Sequence, residues 1–225
     1  MCNMSMGRLG GLALIIGPAL AFVMFLLQPG GIIIDTAEPS DPIAAIEALT
    51  NNPTMANITV PLIVLGLMIM AFGLYSLQVA TRSTGIGDAA TRMGLAFILV
   101  GLLSWIWGQG VALAITIGLD DQTVHFLTPL FVARVAMTLL GGMLVSLGFL
   151  TFALSMPAAG NVEAWVNRLV GILSVVSLAS FYWAAAEGGD LDQGLALARS
   201  LYIIWVIWLA YQGVRLMKQD SASGS

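Results

Sequence analysis

Six long runs of apolar residues divide the chain, with shorter polar segments between them. The runs cover about residues 9–28, 58–80, 93–118, 128–156, 169–187 and 199–217. Each is long enough for a helix that crosses a bilayer, which needs roughly 20 residues. The runs lack the alternation of polar and apolar positions that a transmembrane β-strand shows. Because backbone groups in lipid must bond within their own segment, each run is predicted to be a transmembrane helix.

The composition agrees with this pattern and excludes several classes of protein. Hydrophobic residues make up 59% of the chain and charged residues 9%, against roughly 25% charged residues in soluble proteins. So few charges exclude a soluble enzyme and a disordered chain. Eight Lys and Arg residues are too few for a surface that binds nucleic acid, so the expected surroundings are the lipid bilayer. The predicted fold is an all-α polytopic bundle, a single transmembrane domain over residues 1–220 with a disordered tail at 221–225.

The charges of the connecting segments alternate in sign along the chain. Six of the eight basic residues flank the spans on one side, namely Arg8, Arg82, Arg92, Arg168, Arg215 and Lys218. Nine of the twelve acidic residues, Glu187 among them, fall on the other side. Because basic residues stay inside, both termini are expected in the cytoplasm.

The longest connection, between the first two runs, contains a predicted short helix. Asp41 or Ser40 can cap this helix and Pro42 suits its first turn. Ile43, Ile46 and Leu49 are expected to share one side. Such a helix is expected to lie on the membrane surface or to cap the bundle.

The runs resemble one another in pairs, which indicates a repeated helical hairpin. Three of them open alike, with Arg8-Leu9-Gly10, Arg92-Met93-Gly94 and Arg168-Leu169-Val170-Gly171. Arg134 lies fourteen residues before Gly148, and Arg199 lies fourteen before Gly213. One interpretation is three hairpins about an axis near the membrane normal. The alternative is that flanking arginines and packing glycines recur in any protein of this kind.

Arg134 and Arg199 are the most costly residues inside the predicted spans. An arginine at the bilayer centre costs roughly 2.5–3.5 kcal/mol, so it normally faces the bundle interior and has a partner. Asp120 and Asp121 are candidate partners of Arg134, and Glu187, Asp190 and Asp192 are candidate partners of Arg199. Gln109 can hydrogen-bond either arginine. These residues form either structural ion pairs or a polar site that binds an anion or small solute.

The sequence predicts no catalytic, cofactor or metal site. The chain has one histidine and one cysteine. It contains neither the His-Glu-x-x-His motif nor the Gly-x-Ser-x-Gly motif. The expected protein is therefore not an enzyme.

The opening Arg8-Leu9-Gly10-Gly11-Leu12 and the ending Trp208–Leu216 resemble bacterial membrane proteins of six or seven helices whose function is unknown. The resemblance implies a prokaryotic plasma membrane and carries over no functional residue. The first functional hypothesis is a scaffold or accessory subunit, as a homo-oligomer or in a larger membrane complex. The alternative is a passive carrier or channel. A scaffold predicts Arg134 buried against a carboxylate without a cavity, whereas a carrier predicts both arginines in one cleft.

Overall fold

The computed structural model describes residues 5–81, 86–117, 124–157 and 160–223, and within these ranges it contains helices and no strand. The helices are α1 (Met6–Leu27), α2 (Pro42–Asn51), α3 (Pro53–Ala80), α4 (Ile86–Ile117), α5 (Val124–Ser155), α6 (Asn161–Ala185) and α7 (Leu191–Ser223). Six of them are long and apolar enough to cross a membrane. The predicted all-α bundle of six spans is therefore confirmed.

The helices extend beyond the apolar runs that predicted them. Helix α6 begins at Asn161 and α7 begins at Leu191, each two turns before the run. Once a helix exists, each added residue gains a hydrogen bond, so polar residues at its ends continue it. For the same reason α7 continues to Ser223, three residues into the segment that was expected to be a disordered tail.

The six long helices form a closed ring in the order α1, α3, α4, α5, α6, α7, in which each packs on its two neighbours. Helix α2 packs on α3, α4 and α5 at one end of the ring, which we call the α2 end. The opposite end, where α1 begins and α7 finishes, is the termini end. Large apolar side chains that suit lipid cover the outside, including Met68, Val100, Trp107, Leu140, Ile172 and Ile207.

Glycines bring two of the three hairpins into backbone contact. A Cβ built on Gly101 of α4 would lie 2.6 Å from the carbonyl oxygen of Gly141 on α5. A Cβ built on Gly17 of α1 would lie 2.8 Å from the corresponding oxygen of Gly66 on α3. Small residues allow this close approach between membrane helices. These contacts occupy matching positions, as the repeat hypothesis predicts for the first two hairpins.

The third hairpin is assembled differently. Gly171 of α6 abuts Leu154 of α5, and Gly213 of α7 abuts Gly11 of α1, so neither glycine joins α6 to α7. Helices α6 and α7 approach each other at Gly194 of α7, where a Cβ would lie 2.9 Å from the Ser180 carbonyl oxygen. Closer to the termini end, two indole N–H groups of α7 donate hydrogen bonds to side chains of α6. The Trp205 bond to the Ser174 hydroxyl oxygen is 3.2 Å long, and the Trp208 bond to Asn167 Oδ1 is 3.1 Å long.

The predicted short helix α2 is confirmed, and Asp41 caps it. The Asp41 carboxylate accepts hydrogen bonds from the backbone N–H groups of Ile43 and Ala44, at 3.1 and 3.0 Å. Ile46 and Leu49 are buried against the long helices, as expected, but Ile43 is exposed. The buried side of α2 is therefore centred on Ala45, Ile46, Ala48 and Leu49.

Candidate functional site

A cavity of about 160 Å³ lies inside the ring at the α2 end. Side chains of all six long helices line it, for example Phe22, Leu67, Trp105, Arg134, Phe181 and Arg199. Gly30, Gly31, Ala37 and Pro39 of the segment before α2 complete its wall, together with Ala45 of α2. Gly30 has a φ of 76°, and its N–H bonds the carbonyl of Ile34 in the tight turn that follows α1.

Both predicted arginines line this one cavity. Arg134 follows the first residue of α5 by ten positions, and Arg199 follows the first residue of α7 by eight. At 1.5 Å per residue, the two lie about 15 and 12 Å along their helices. Both side chains contribute to the wall of the same cavity. The structure thus brings together two like charges from different hairpins.

Arg134 is held by two buried carboxamides. Its Nη2 donates to Gln28 Oε1 at 3.2 Å, and Gln28 Nε2 donates to Gln109 Oε1 at 2.9 Å. Gln109 was predicted in this site, whereas Gln28 was not. Gln28 is 1% exposed and caps the C-terminus of α1. The only feature of the sequence that could have indicated it is a single carboxamide at the end of an apolar run. The chain of bonds joins α5, α1 and α4.

Aromatic rings take the place of anions beside both guanidinium groups. Arg199 lies over the ring of Phe25 at 5.3 Å from its centroid, and Arg134 lies over Phe131 at 5.9 Å. Such cation–π contacts stabilise a desolvated cation by roughly 2 kcal/mol. They leave the net charge of the site unchanged.

Within the described ranges, no carboxylate forms an ion pair with either arginine. The expected pair of Arg199 and Glu187 is wrong, because Glu187 follows the end of α6 and is exposed. The charge of Asp192, two turns before Arg199 on α7, does act on that guanidinium. The Asp192 carboxylate also accepts from the Ser40 N–H at 3.0 Å and the Ser40 hydroxyl at 2.5 Å. The other candidates, Asp120 and Asp121, lie outside the described residues.

Aromatic rings form part of the remaining cavity wall, and one of them carries an unpartnered phenol. Tyr202 packs against Phe22, Trp105 and Trp205, with ring centroids 5.9, 6.0 and 6.3 Å apart. Its hydroxyl oxygen is buried and has no hydrogen-bond partner among the described residues. The site therefore combines two cations, amide groups and a phenol donor with a flat apolar surface.

No three His, Cys, Asp or Glu side chains in the described part of the chain lie where they would hold a metal ion. Besides Tyr202, the hydroxyl in the cavity wall belongs to Thr138, and it donates to the Arg134 carbonyl at 3.0 Å. What this arrangement offers is binding of negative charge beside an apolar surface.

Comparisons with known proteins add no family to this description. No protein-family model matches the chain, and neither a curated protein nor a solved structure is significantly similar to it. The resemblance to bacterial membrane proteins of unknown function stays a prediction.

Proposed function

We propose that this membrane protein binds a small organic anion reversibly in the cavity at the α2 end and catalyses no reaction. The observation that carries the proposal is that Arg134 and Arg199 share one cavity without a carboxylate partner in the described ranges. Two neighbouring cations removed from water are unfavourable unless an anion joins them. Binding an anion relieves both their desolvation and their mutual repulsion.

The cavity also defines the class of anion. Its volume is close to that of a cavity of roughly 150 Å³ that accommodates benzene. The rings of Phe22, Trp105 and Tyr202 suit a flat apolar body, since aromatic groups pack favourably edge to face and offset. The two guanidinium groups suit a carboxylate, sulfonate or phosphate, which accepts their paired hydrogen bonds. We therefore expect a one-ring amphipathic anion.

This proposal is favoured over a purely structural scaffold for a specific reason. A scaffold requires Arg134 to be neutralised by a carboxylate in a filled interior. Gln28 accepts a hydrogen bond from Arg134 and donates one to Gln109, but neither carboxamide brings a negative charge. Assembly into a homo-oligomer or a larger complex is compatible with either function.

We further propose that the protein lies in a prokaryotic plasma membrane with both termini in the cytoplasm. Support comes from the distribution of the basic residues, since all of them except Arg134 and Arg199 flank the spans at the termini end. The anion then enters from the outside, past the segment that precedes α2.

The test is calorimetric titration of the full chain in lipid nanodiscs with benzenesulfonate, a one-ring anion that stays charged at neutral pH. Benzenesulfonamide, of the same shape and neutral, is the matched ligand. We expect binding of the sulfonate and at least tenfold weaker binding of the amide, because a hydrogen bond to a charged group contributes roughly 1.5–3 kcal/mol. Arg134→Gln and Arg199→Gln should each raise the Kd of the sulfonate by about tenfold or more.

Arg92→Gln is the matched control variant. Arg92 has a 60% exposed side chain and pairs with Asp88 one turn away on α4, far from the cavity wall. Its loss should leave the Kd unchanged. Equal affinity for sulfonate and sulfonamide, or no binding by folded wild-type protein, would overturn the proposal.

A further inference from the structure

A stripe of buried polar side chains runs along α6 toward the termini end, where it faces α7. On α6 it contains Ser174, Asn167 and Glu163, all less than 9% exposed, whereas the Ser177 hydroxyl accepts a hydrogen bond from Ser146 of α5. On α7 it is met by Trp205, Trp208, Gln212 and Arg215. We call this polar contact between the two helices the seam. It lies in the hairpin that Gly194 of α7 joins to α6 near the α2 end, where a Cβ would lie 2.9 Å from the Ser180 carbonyl oxygen.

The seam contains polar atoms without partners. The carboxamide of Gln212 is fully buried, and neither its nitrogen nor its oxygen has a hydrogen-bond partner in the described chain. Asn167 accepts the Trp208 bond but its Nδ2 is also unpartnered. A buried polar group without a hydrogen-bond partner is strongly disfavoured, most of all within a bilayer. We therefore expect these three atoms to bond water or a polar solute.

Two indole rings of the seam, those of Trp205 and Trp208, lie between the cavity and the unpartnered carboxamide of Gln212. Trp205 lines the cavity and stacks on Phe149 at a centroid distance of 4.7 Å. Trp208, one turn further toward the termini end, packs edge-on against Phe149 and Phe152. Both rings are held across the seam by their N–H bonds to Ser174 and Asn167. Side-chain rotation alone can break these bonds, whereas the backbone contacts of the other hairpins are fixed.

Resting on the proposed anion site, we propose that the seam is the route by which the anion crosses to the termini end, with Trp205 and Trp208 as its gate. When the two rings turn, their indole N–H groups release the oxygens of Ser174 and Asn167 and donate to an oxygen of the anion instead. The indole donors thus keep a hydrogen-bond partner throughout. The N–H groups of Asn167 and Gln212 then donate hydrogen bonds to the anion in turn. Arg215, which pairs with Glu163 at the far end, offers the next positive charge. The protein is then a carrier.

The experiment measures uptake of radiolabelled benzenesulfonate into phosphatidylcholine–phosphatidylglycerol vesicles that contain the full chain. Gln212→Leu should lower the initial rate by about tenfold or more, because it removes donors from the route. Gln78→Leu is the matched control, since Gln78 is a buried glutamine at the termini end with an unpartnered nitrogen, but on α3. It should leave the rate unchanged. Trp208→Phe keeps a ring but removes the bond to Asn167, and it should raise the rate several-fold.

Titration of each variant with benzenesulfonate shows that it is folded and separates the two proposals. Unchanged Kd values with the expected changes in rate support the seam as the route. Unchanged Kd values with no uptake by the wild type, or with equal uptake by wild type, Gln212→Leu and Trp208→Phe, would overturn the route and leave the anion site standing. Loss of binding in the wild type would overturn the anion site itself.

Discussion

The hairpins α4–α5 and α6–α7 carry matching arginines but are held together in different ways. In α4–α5 the backbones touch at Gly101 and Gly141, so the pair forms a rigid wall behind Arg134. In α6–α7 a backbone contact at Gly194 lies near the α2 end, and toward the termini end the contact passes through indole, hydroxyl and amide side chains. A backbone contact has one geometry, whereas side chains have alternative rotamers. We therefore expect the α4–α5 contact to stay fixed and the side-chain contacts between α6 and α7 to be able to rearrange.

The two hairpins also differ in the partners of their arginines. In the α4–α5 hairpin, Arg134 donates to the carboxamide of Gln28 after α1, which in turn donates to Gln109 of α4. In the α6–α7 hairpin, Arg215 and Glu163 form an ion pair at the end away from the cavity. The charge of Arg215 is therefore neutralised at the termini end, whereas Arg134 and Arg199 have no carboxylate partner in the described ranges at the α2 end.

The largest expected effect comes from breaking the rigid contact. Gly101→Ala places a methyl group 2.6 Å from the Gly141 carbonyl oxygen, which cannot move without separating α4 from α5. Overpacking of this kind destabilises by about 3 kcal/mol. Gly110→Ala on the same helix meets nothing within 4 Å and should be neutral. Thermal unfolding in nanodiscs measures both, and equal stability of the two variants would contradict a backbone contact at Gly101.

A smaller effect is expected at the ion pair of the α6–α7 hairpin. Glu163→Gln leaves Arg215 without its negative partner, which should destabilise the bundle by about 2 kcal/mol. This is below the roughly 3–5 kcal/mol of a fully buried pair, because a fifth of the Arg215 side chain is exposed. The double variant Glu163→Gln with Arg215→Met should recover most of that loss. Failure of the second substitution to restore the unfolding temperature would mean that Glu163 acts through another contact.

The six spans and the cap of α2 could be predicted from the sequence because both depend on local chemistry. Hydropathy over 20 residues does not depend on neighbours, and an Asp before Pro42 caps a helix wherever it packs. For the same reason the predicted starts of α6 and α7 came too late in the sequence. The polar residues that begin these helices do not belong to an apolar run, so hydropathy does not detect them.

The site was predicted only in part, because its partners come from distant segments. Arg134, Arg199 and Gln109 were identified by the cost of burying polar groups in lipid. Gln28 and Tyr202 were not, since only the ring order of the helices brings residues 28, 109 and 134 together. Glu187 was chosen as a partner by sequence proximity, which does not decide which way the turn after α6 faces.

The smallest expected effect concerns the charge that does act on Arg199. Asp192 lies on the same face of α7, two turns before the guanidinium, and competes with an incoming anion for it. Asp192→Asn should therefore lower the Kd of benzenesulfonate by about threefold, since partly exposed charge pairs contribute roughly 0.2–1 kcal/mol. Glu187→Gln, which removes the same charge from the exposed turn, should leave the Kd unchanged. If titration instead shows the larger shift for Glu187→Gln, the turn after α6 faces the cavity and Arg199 is neutralised by the residue that its sequence position first suggested.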